Sequence, residues 1–563
     1  MNTKRVISMA IVACFAIAGA AAGTNERGID LYRAELYDAA KIFFLQQNNQ
    51  STQEQAENYY YLGETYYALQ KVDSAAYYYA KAIATNSEYP FGYVGEGKLA
   101  LSKGDMKAAE TSFKTAVGLA KKNVSVQTTI AEAYIDAGKF PQAEEALTKA
   151  EKINKKYSGI YMVRGSMALK ENKREQAYSW YEQAIYFDPN DKVAYLKLAK
   201  AYEGANPKAA LDYLDKLIKI DPDYIPAYAL IGDINRESGM YYQALDAYEK
   251  FISIPGVPVL QHERYAQLLY FTDQYQKSLQ QIDYVLKQDP ANPVMHRIQA
   301  YDHFKLGEIA LAARELGEFL KNNPEDKHIY QDYITYGQAL IKDKQSEVAI
   351  AALQKAAQLD ASKAEVYKEL ASAYEATKNY PEAILQYEKY FQVAEPAKLR
   401  ASDYLFYGLD NYYSAAIYID DAYLATRTTP EQKQDDDTAF RKYINQGNAA
   451  FTEVINLSPE SFLGYLSQAR LNAFVDLKEQ ESRGAAMKGY AKPYYEKALQ
   501  VMLNANDDGK RKNEILEAYD YLASYYLLLD DKTTAVDYYK KILEIDPANQ
   551  KALTVLTQLK IKH

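Results

Sequence analysis

The chain has 563 residues, about a quarter charged and about half apolar, with a formal charge of -9 and 56 tyrosines against one tryptophan. It is several times longer than the roughly 100–150 residues of a single domain. Its acidic balance argues against a nucleic-acid groove, which needs a basic stripe, and against electrostatic docking on anionic lipid. The only cysteine is Cys14.

The first 22 residues read as an address. Lys4 and Arg5 form a short basic start, residues 6–22 are apolar and uncharged, and GAAAG at 19–23 offers small residues to a signal peptidase. This is the pattern of a secretory signal, and it places the expected protein in the periplasm of a bacterium. Residues 11–14, Ile-Val-Ala-Cys, leave a second reading open: a lipoprotein box, with Cys14 anchoring the chain to the outer membrane. On the first reading the mature protein holds no cysteine, which excludes disulfides, thiol catalysis and cysteine metal sites.

Beyond the address the chain is periodic. Small residues recur 33 or 34 apart at Gly63, Gly97, Ala131, Gly165, Ala199, Gly232, Ala266 and Ala300, then after short slips at Gly337, Ala371 and Gly408. Twelve residues after most of these comes a second small residue (Ala75, Ala109, Ala143, Ala177), and four further on a large one (Tyr79, Phe113, Leu147, Tyr181). Such a unit is two packed helices: the small residue lets a partner helix approach and the large one fills the space beside it. Asp188-Pro189, Asp221-Pro222, Asp289-Pro290, Asn323-Pro324, Ser458-Pro459 and Asp546-Pro547 stop helices at one phase of the repeat.

Tyr59, Leu62, Gly63, Tyr66, Ala75, Tyr79 and Ala82 lie at the offsets of the tetratricopeptide repeat, which this unit resembles. So do Tyr367, Leu370, Ala371, Tyr374, Ala383 and Tyr387, and again Tyr519, Leu522, Ala523, Tyr526, Ala535, Tyr539 and Pro547. The resemblance implies an all-α, right-handed α-solenoid of about 14 helical hairpins, closed by a capping helix at residues 548–560. Residues 24–395 are regular. Residues 396–563 are less so, with a polar loop expected at 428–440 and insertions at 474–489 and 504–512.

The resemblance also implies that Tyr59, Tyr66 and Tyr79 pack in the core, hydroxyls at the rim. The neighbouring face of each first helix would line a groove for partners. Its candidate binding residues are Tyr60, Tyr67, Leu101, Met162, Tyr270, Arg297, Tyr301, Phe304 and Ile334. The alternative for these residues is contact with adjacent helices in a tight superhelix. Members that clamp a peptide carboxylate need Asn at a position that here holds Glu64, Lys98, Glu132 or Lys200, so that clamp is not carried over.

No catalytic motif, phosphate loop or cofactor signature stands out. His296 and His303 are seven apart but occupy core aromatic positions, and NANDDGK at 504–510 departs from a calcium loop at Lys510 and Ile515. The expectation is a non-enzymatic scaffold for envelope proteins or peptides, without cofactor, metal or nucleic acid, meeting the membrane through partners or through Cys14. It resembles periplasmic repeat proteins of Bacteroidetes-type bacteria, some of which accompany TonB-type energy-transduction complexes. A glycan or small-ligand binder using a Tyr-rich groove is the alternative.

Overall fold

The computed structural model describes residues 25–48, 50–483, 487–505 and 509–561. The expected signal at 1–22, with Cys14, lies outside the described residues, as do residues 506–508 of the NANDDGK stretch. Among the described residues all regular structure is helical: thirty α-helices and three turns of 3-10 helix. The chain forms two compact units, Met1–Gln299 and Ala300–His563.

The first unit is a stack of hairpins: α1 (Glu26–Arg33) with α2 (Tyr37–Leu45), α3 (Thr52–Ala68) with α4 (Val72–Thr85), α5 (Pro90–Ser102) with α6 (Met106–Leu119), and α7 (Val124–Asp136) with α8 (Phe140–Asn154). There follow α9 (Ser158–Lys170) with α10 (Arg174–Phe187), α11 (Lys192–Tyr202) with α12 (Pro207–Ile220), α13 (Ile225–Glu237) with α14 (Tyr241–Phe251), and α15 (Val259–Phe271) with α16 (Tyr275–Gln288). α10, α12 and α16 each end one residue before an Asp-Pro pair, where proline cannot continue the helix.

Inside each hairpin the small residue seats the large one. A Cβ added to Gly63 would stand 2.5 Å from the Tyr79 ring; on Gly97 it would meet Phe113 at 2.3 Å, on Gly165 Tyr181 at 2.4 Å, and on Gly232 Tyr248 at 2.4 Å. The aromatic ring lies on the glycine rather than beside it. In every hairpin of this unit but α11–α12 the turn between the two helices holds a left-handed residue, φ running from +59° at Gln70 to +77° at Gly104. The next amide then reaches back five residues, as Lys71 does to the Tyr66 carbonyl at 2.8 Å, closing the helix end.

α17 (Pro293–Lys305) carries the boundary between the units. The second unit continues with α18 (Ile309–Asn322), α19 (Tyr330–Lys342), α20 (Ser346–Leu359), α21 (Ala364–Ala376), α22 (Tyr380–Val393), α23 (Ala401–Ala416) and the short α24 (Asp421–Leu424). It ends with α25 (Pro430–Leu457), α26 (Phe462–Arg483), α27 (Lys492–Asn504), α28 (Lys512–Leu528), α29 (Lys532–Ile545) and α30 (Gln550–Gln558). α30 buries Ala552 and Leu556 in the cluster that holds Tyr539 and Ile542 of α29, as expected of a cap.

The polar loop expected at 428–440 is instead the start of the 28-residue α25. Thr429 caps it, with the Gln432 side chain accepting from the Thr428 and Thr429 amides, and Pro430 sits in the first turn. Glu431 lies in the first turn, where a carboxylate suits the helix N-terminus. Asp436 is buried and held by Arg427 at 2.8 and 3.0 Å, and Asp437 pairs with Arg441 one turn on.

Candidate functional site on the inner helix face

The expected groove is the face of the first helices beside the core positions. In the first unit it is filled by the protein's own charges. Lys98 Nζ donates to Glu64 Oε2 at 2.8 Å and lies 3.1 Å from Asp136 Oδ2, and Lys170 Nζ reaches Asp136 Oδ1 at 2.8 Å. Glu64 to Lys98 and Asp136 to Lys170 are each one repeat apart, 34 residues, so α3, α5, α7 and α9 present them as one row of alternating sign. Tyr32 and Tyr79 donate their hydroxyls to the two oxygens of Glu64 at 2.9 and 2.6 Å. The Tyr79 hydroxyl is therefore buried in this row instead of reaching the rim.

Burial alone would raise the Asp136 carboxyl, but Lys98 and Lys170 outweigh it and hold it below the usual range. Burial likewise opposes the charge on Lys98, and Glu64 with Asp136 more than restore it. Only 7% of Lys98 and 5% of Glu64 is exposed, so an incoming ligand would have to break this row before using it.

The first hairpin covers the row and also touches repeats far along the chain. Lys192 Nζ of α11 donates to Asp30 Oδ2 at 3.0 Å and Glu26 Oε1 at 3.4 Å, and Lys200 Nζ to Glu35 Oε2 at 2.5 Å. The backbone of Gly256 lies against Ala39 and Ile42 of α2, a Cβ there standing 2.9 Å from Ala39 Cα and 2.8 Å from Ile42 Cδ1. Protein crowds Glu132, which keeps accessible surface, and the half-buried Lys197, and this raises the Glu132 carboxyl and lowers the Lys197 ammonium.

Of the nine candidate groove residues, five are buried. Tyr60 packs among Tyr79, Tyr89 and Leu99; Leu101 and Met162 belong to the core cluster running through α5–α11; Ile334 is in a core of the second unit. Tyr301 is buried and donates to Asp332 Oδ1 at 2.6 Å. Tyr67, Tyr270, Arg297 and Phe304 keep part of their surface, Tyr67 beneath Lys98 at 4.7 Å and Phe304 beneath Lys342 at 4.7 Å. Tyr59, expected in the core, is only half-buried, because the next hairpin covers its neighbour Tyr60 through Tyr89 and Phe91. His303 is buried against Glu315 at 2.6 Å, and half-buried His296 meets the Pro290 carbonyl at 2.9 Å.

One accessible aromatic cluster joins the candidate Tyr270 to three residues that were not foreseen. Tyr241 and Phe271 stack with centroids 4.8 Å apart and an angle of 14°, Tyr270 packs edge-on to Phe271 at 5.4 Å, and Tyr242 beside them is 64% exposed. These residues stand at the start of α14 and the end of α15, where the repeat phase places turn residues. A run of aromatics at turn phase was the available signal.

A buried carboxyl pair in the second unit was also missed. Asp410 of α23 is 2% exposed and pairs with Glu375 of α21, which accepts the Tyr387 hydroxyl at 3.2 Å. Burial, then the charge of Glu375, pushes Asp410 up to about 9. Asn411 beside it was the signal: it stands three residues after Gly408, where other units carry Tyr66, Tyr134, Tyr202 and Tyr374.

Models of the tetratricopeptide repeat match residues 57–88, 100–165, 158–191, 193–224, 225–256, 336–397 and 516–549, together about half of the chain. The chain belongs to the tetratricopeptide repeat family, whose members are in general scaffolds for protein–protein interaction. It is similar to a CTR9 homolog of Arabidopsis thaliana, 22% identical over 328 residues that make up 55% of this chain and 30% of that protein. It is also similar to small glutamine-rich tetratricopeptide repeat-containing protein 2 of Mycosarcoma maydis, 28% identical over 113 residues, 20% of this chain and 30% of that protein. The chain thus spans under a third of the length of these curated relatives. Among solved structures, the C-terminal part of a repeat protein from Cytophaga hutchinsonii is 26% identical, covering 52% of this chain and 98% of its own, with a TM-score of 0.39. A tetratricopeptide repeat protein from Parabacteroides merdae is 16% identical, covering 51% and 99%, with a TM-score of 0.24.

Proposed function

We propose that this protein is a non-enzymatic scaffold of the bacterial cell envelope, exported by its first 22 residues and binding partner proteins or peptides in the periplasm. The observation that carries the binding part is the accessible cluster Tyr241, Tyr242, Tyr270 and Phe271. Aromatic side chains grouped on a surface are costly to leave in water and are the usual anchors of protein interfaces. The lysine-bearing, apolar start of the sequence supports export. Tyr67 and Arg297 in the first unit and Phe304 in the second are further candidates for contact, each partly accessible, and components of a TonB-type energy-transduction complex are the first partners to look for.

The test is crosslinked affinity capture of the tagged protein from its native envelope, read by mass spectrometry and compared with Tyr242→Ala/Phe271→Ala. A small partner set lost in the variant supports the reading. Saturable binding of cell-wall fragments without any captured protein would replace it by glycan binding, with the Tyr241–Phe271 stack as platform.

A further inference from the structure

We infer that the hairpin α1–α2 is a built-in occupant of the inner face of α11–α15, and that this face is a docking site for a partner's amphipathic helix carrying carboxylates along one edge and small aliphatic residues along the other. The inference rests on the reading of the protein as a protein-binding scaffold, and it names the partner chemistry and the means of regulation.

The hairpin differs from the repeats it begins. α1 and α2 have 8 and 9 residues, against 17 and 14 for α3 and α4. On one side it packs in repeat register, with Tyr32 on Glu64 and the Phe44 ring 5.9 Å from that of Tyr61. Its other side meets residues more than 160 positions away. There, Glu26 and Asp30 converge on Lys192, and Glu35 on Lys200. Ala34 packs on the cluster of Tyr195, Leu196 and Ala199, and Ala39 with Ile42 covers Gly256.

Leu196 and Lys200 occupy the inner-face positions of their unit, the same phases as Tyr60 and Glu64. The face is thus basic at two points and apolar between them, and its present occupant is acidic at matching points and apolar between. Lys192 and Lys200 hold its edge through ion pairs partly open to water, which are individually weak and screened by salt, while Leu31, Ala39 and Ala40 are buried in one cluster with residues of α13–α15. The segment joining the hairpin to α3 is polar, Gln46-Gln47-Asn48-Asn49-Gln50. A helix-in-groove contact made in cis has the chemistry of one made in trans.

A segment tethered by a short linker acts at roughly millimolar effective concentration, so a trans competitor at about 10 μM meets a disadvantage near 100-fold until the cis contact is weakened. The experiment uses the full mature chain and a fluorescent synthetic peptide of residues 25–48 as probe. Asp30→Lys/Glu35→Lys/Ile42→Asp weakens the occupant and leaves the face intact. The probe should bind this variant at least about 10-fold more tightly than the wild type, with binding weakened at high salt. Adding Lys192→Glu/Lys200→Glu to the opened variant should abolish binding. Equal binding to wild type and opened variant, or none to an opened variant of unchanged helicity, overturns the inference. Should the triple variant fail to fold, Glu35→Lys alone, rescued by Lys200→Glu and followed by hydrogen exchange in α1–α2, gives the same decision: no acceleration in the single variant overturns it. Partner capture through Tyr242 and Phe271 can succeed or fail independently of these outcomes, so the scaffold reading and this inference are separable.

Discussion

Asp410 offers the sharpest test of the interior chemistry. In the folded chain it sits beside Glu375 and holds a proton well above the ordinary carboxylate range, its value pushed up to about 9 from 3.8. The unfolded chain gives up that proton near the ordinary value. The native state therefore binds more protons than the unfolded state across this window, and stability falls as pH rises through it. One proton corresponds to about 1.4 kcal/mol per pH unit, so from pH 6 to pH 8 the second unit should lose roughly 2.7 kcal/mol through this group. Asp410→Asn removes the titration, keeps the shape and lets the amide donate to Glu375. Relative to wild type, the variant should gain about that amount between the two pH values, with burial still keeping Glu375 somewhat raised. Urea denaturation at several pH values, with hydrogen exchange resolving peptides from α21 and α23, reads the slope. Parallel pH profiles for wild type and variant would refute the raised Asp410.

Lys98→Met leaves the buried Glu64 without its cation and Asp136 with Lys170 alone, and should cost about 3–5 kcal/mol, whereas Glu64→Gln/Lys98→Met/Asp136→Asn should recover most of it, both read by chemical denaturation. Gly165→Ala drives a methyl into the Tyr181 ring and should cost about 1–3 kcal/mol; a neutral result would mean the hairpin has slack that the 2.4 Å approach denies. Tyr60→Ala, at a position first read as groove, should lower stability by roughly 3 kcal/mol, since it empties a packed site. Tyr242→Ala, on the surface, should change stability by less than about 0.5 kcal/mol. Thermal melts of that pair separate packing tyrosines from accessible ones.

The repeat was legible in the sequence because it is a local property. A small residue and a large one 16 positions later must meet wherever two helices are joined by a tight turn, and Gly63 with Tyr79 or Gly232 with Tyr248 do so. Helix ends before Asp-Pro were legible for the same reason: the proline ring acts on its own turn. The segment at 428–440 was misread because polarity alone does not distinguish a loop from the exposed start of a long helix. There Thr429, Pro430 and Gln432 decided in favour of the helix.

What the sequence determined, then, is everything fixed within one unit: the hairpin, its core and the phase of its faces. What only the tertiary structure decided is which faces remain free. Whether Tyr60 or Tyr59 is covered depends on the placement of the next hairpin, and the covering of Lys192 and Lys200 by α1–α2 depends on small repeat-to-repeat rotations accumulated over six hairpins. Each rotation is set by local packing, but their sum brings together residues more than 160 positions apart, and no pattern of 34 residues encodes that meeting.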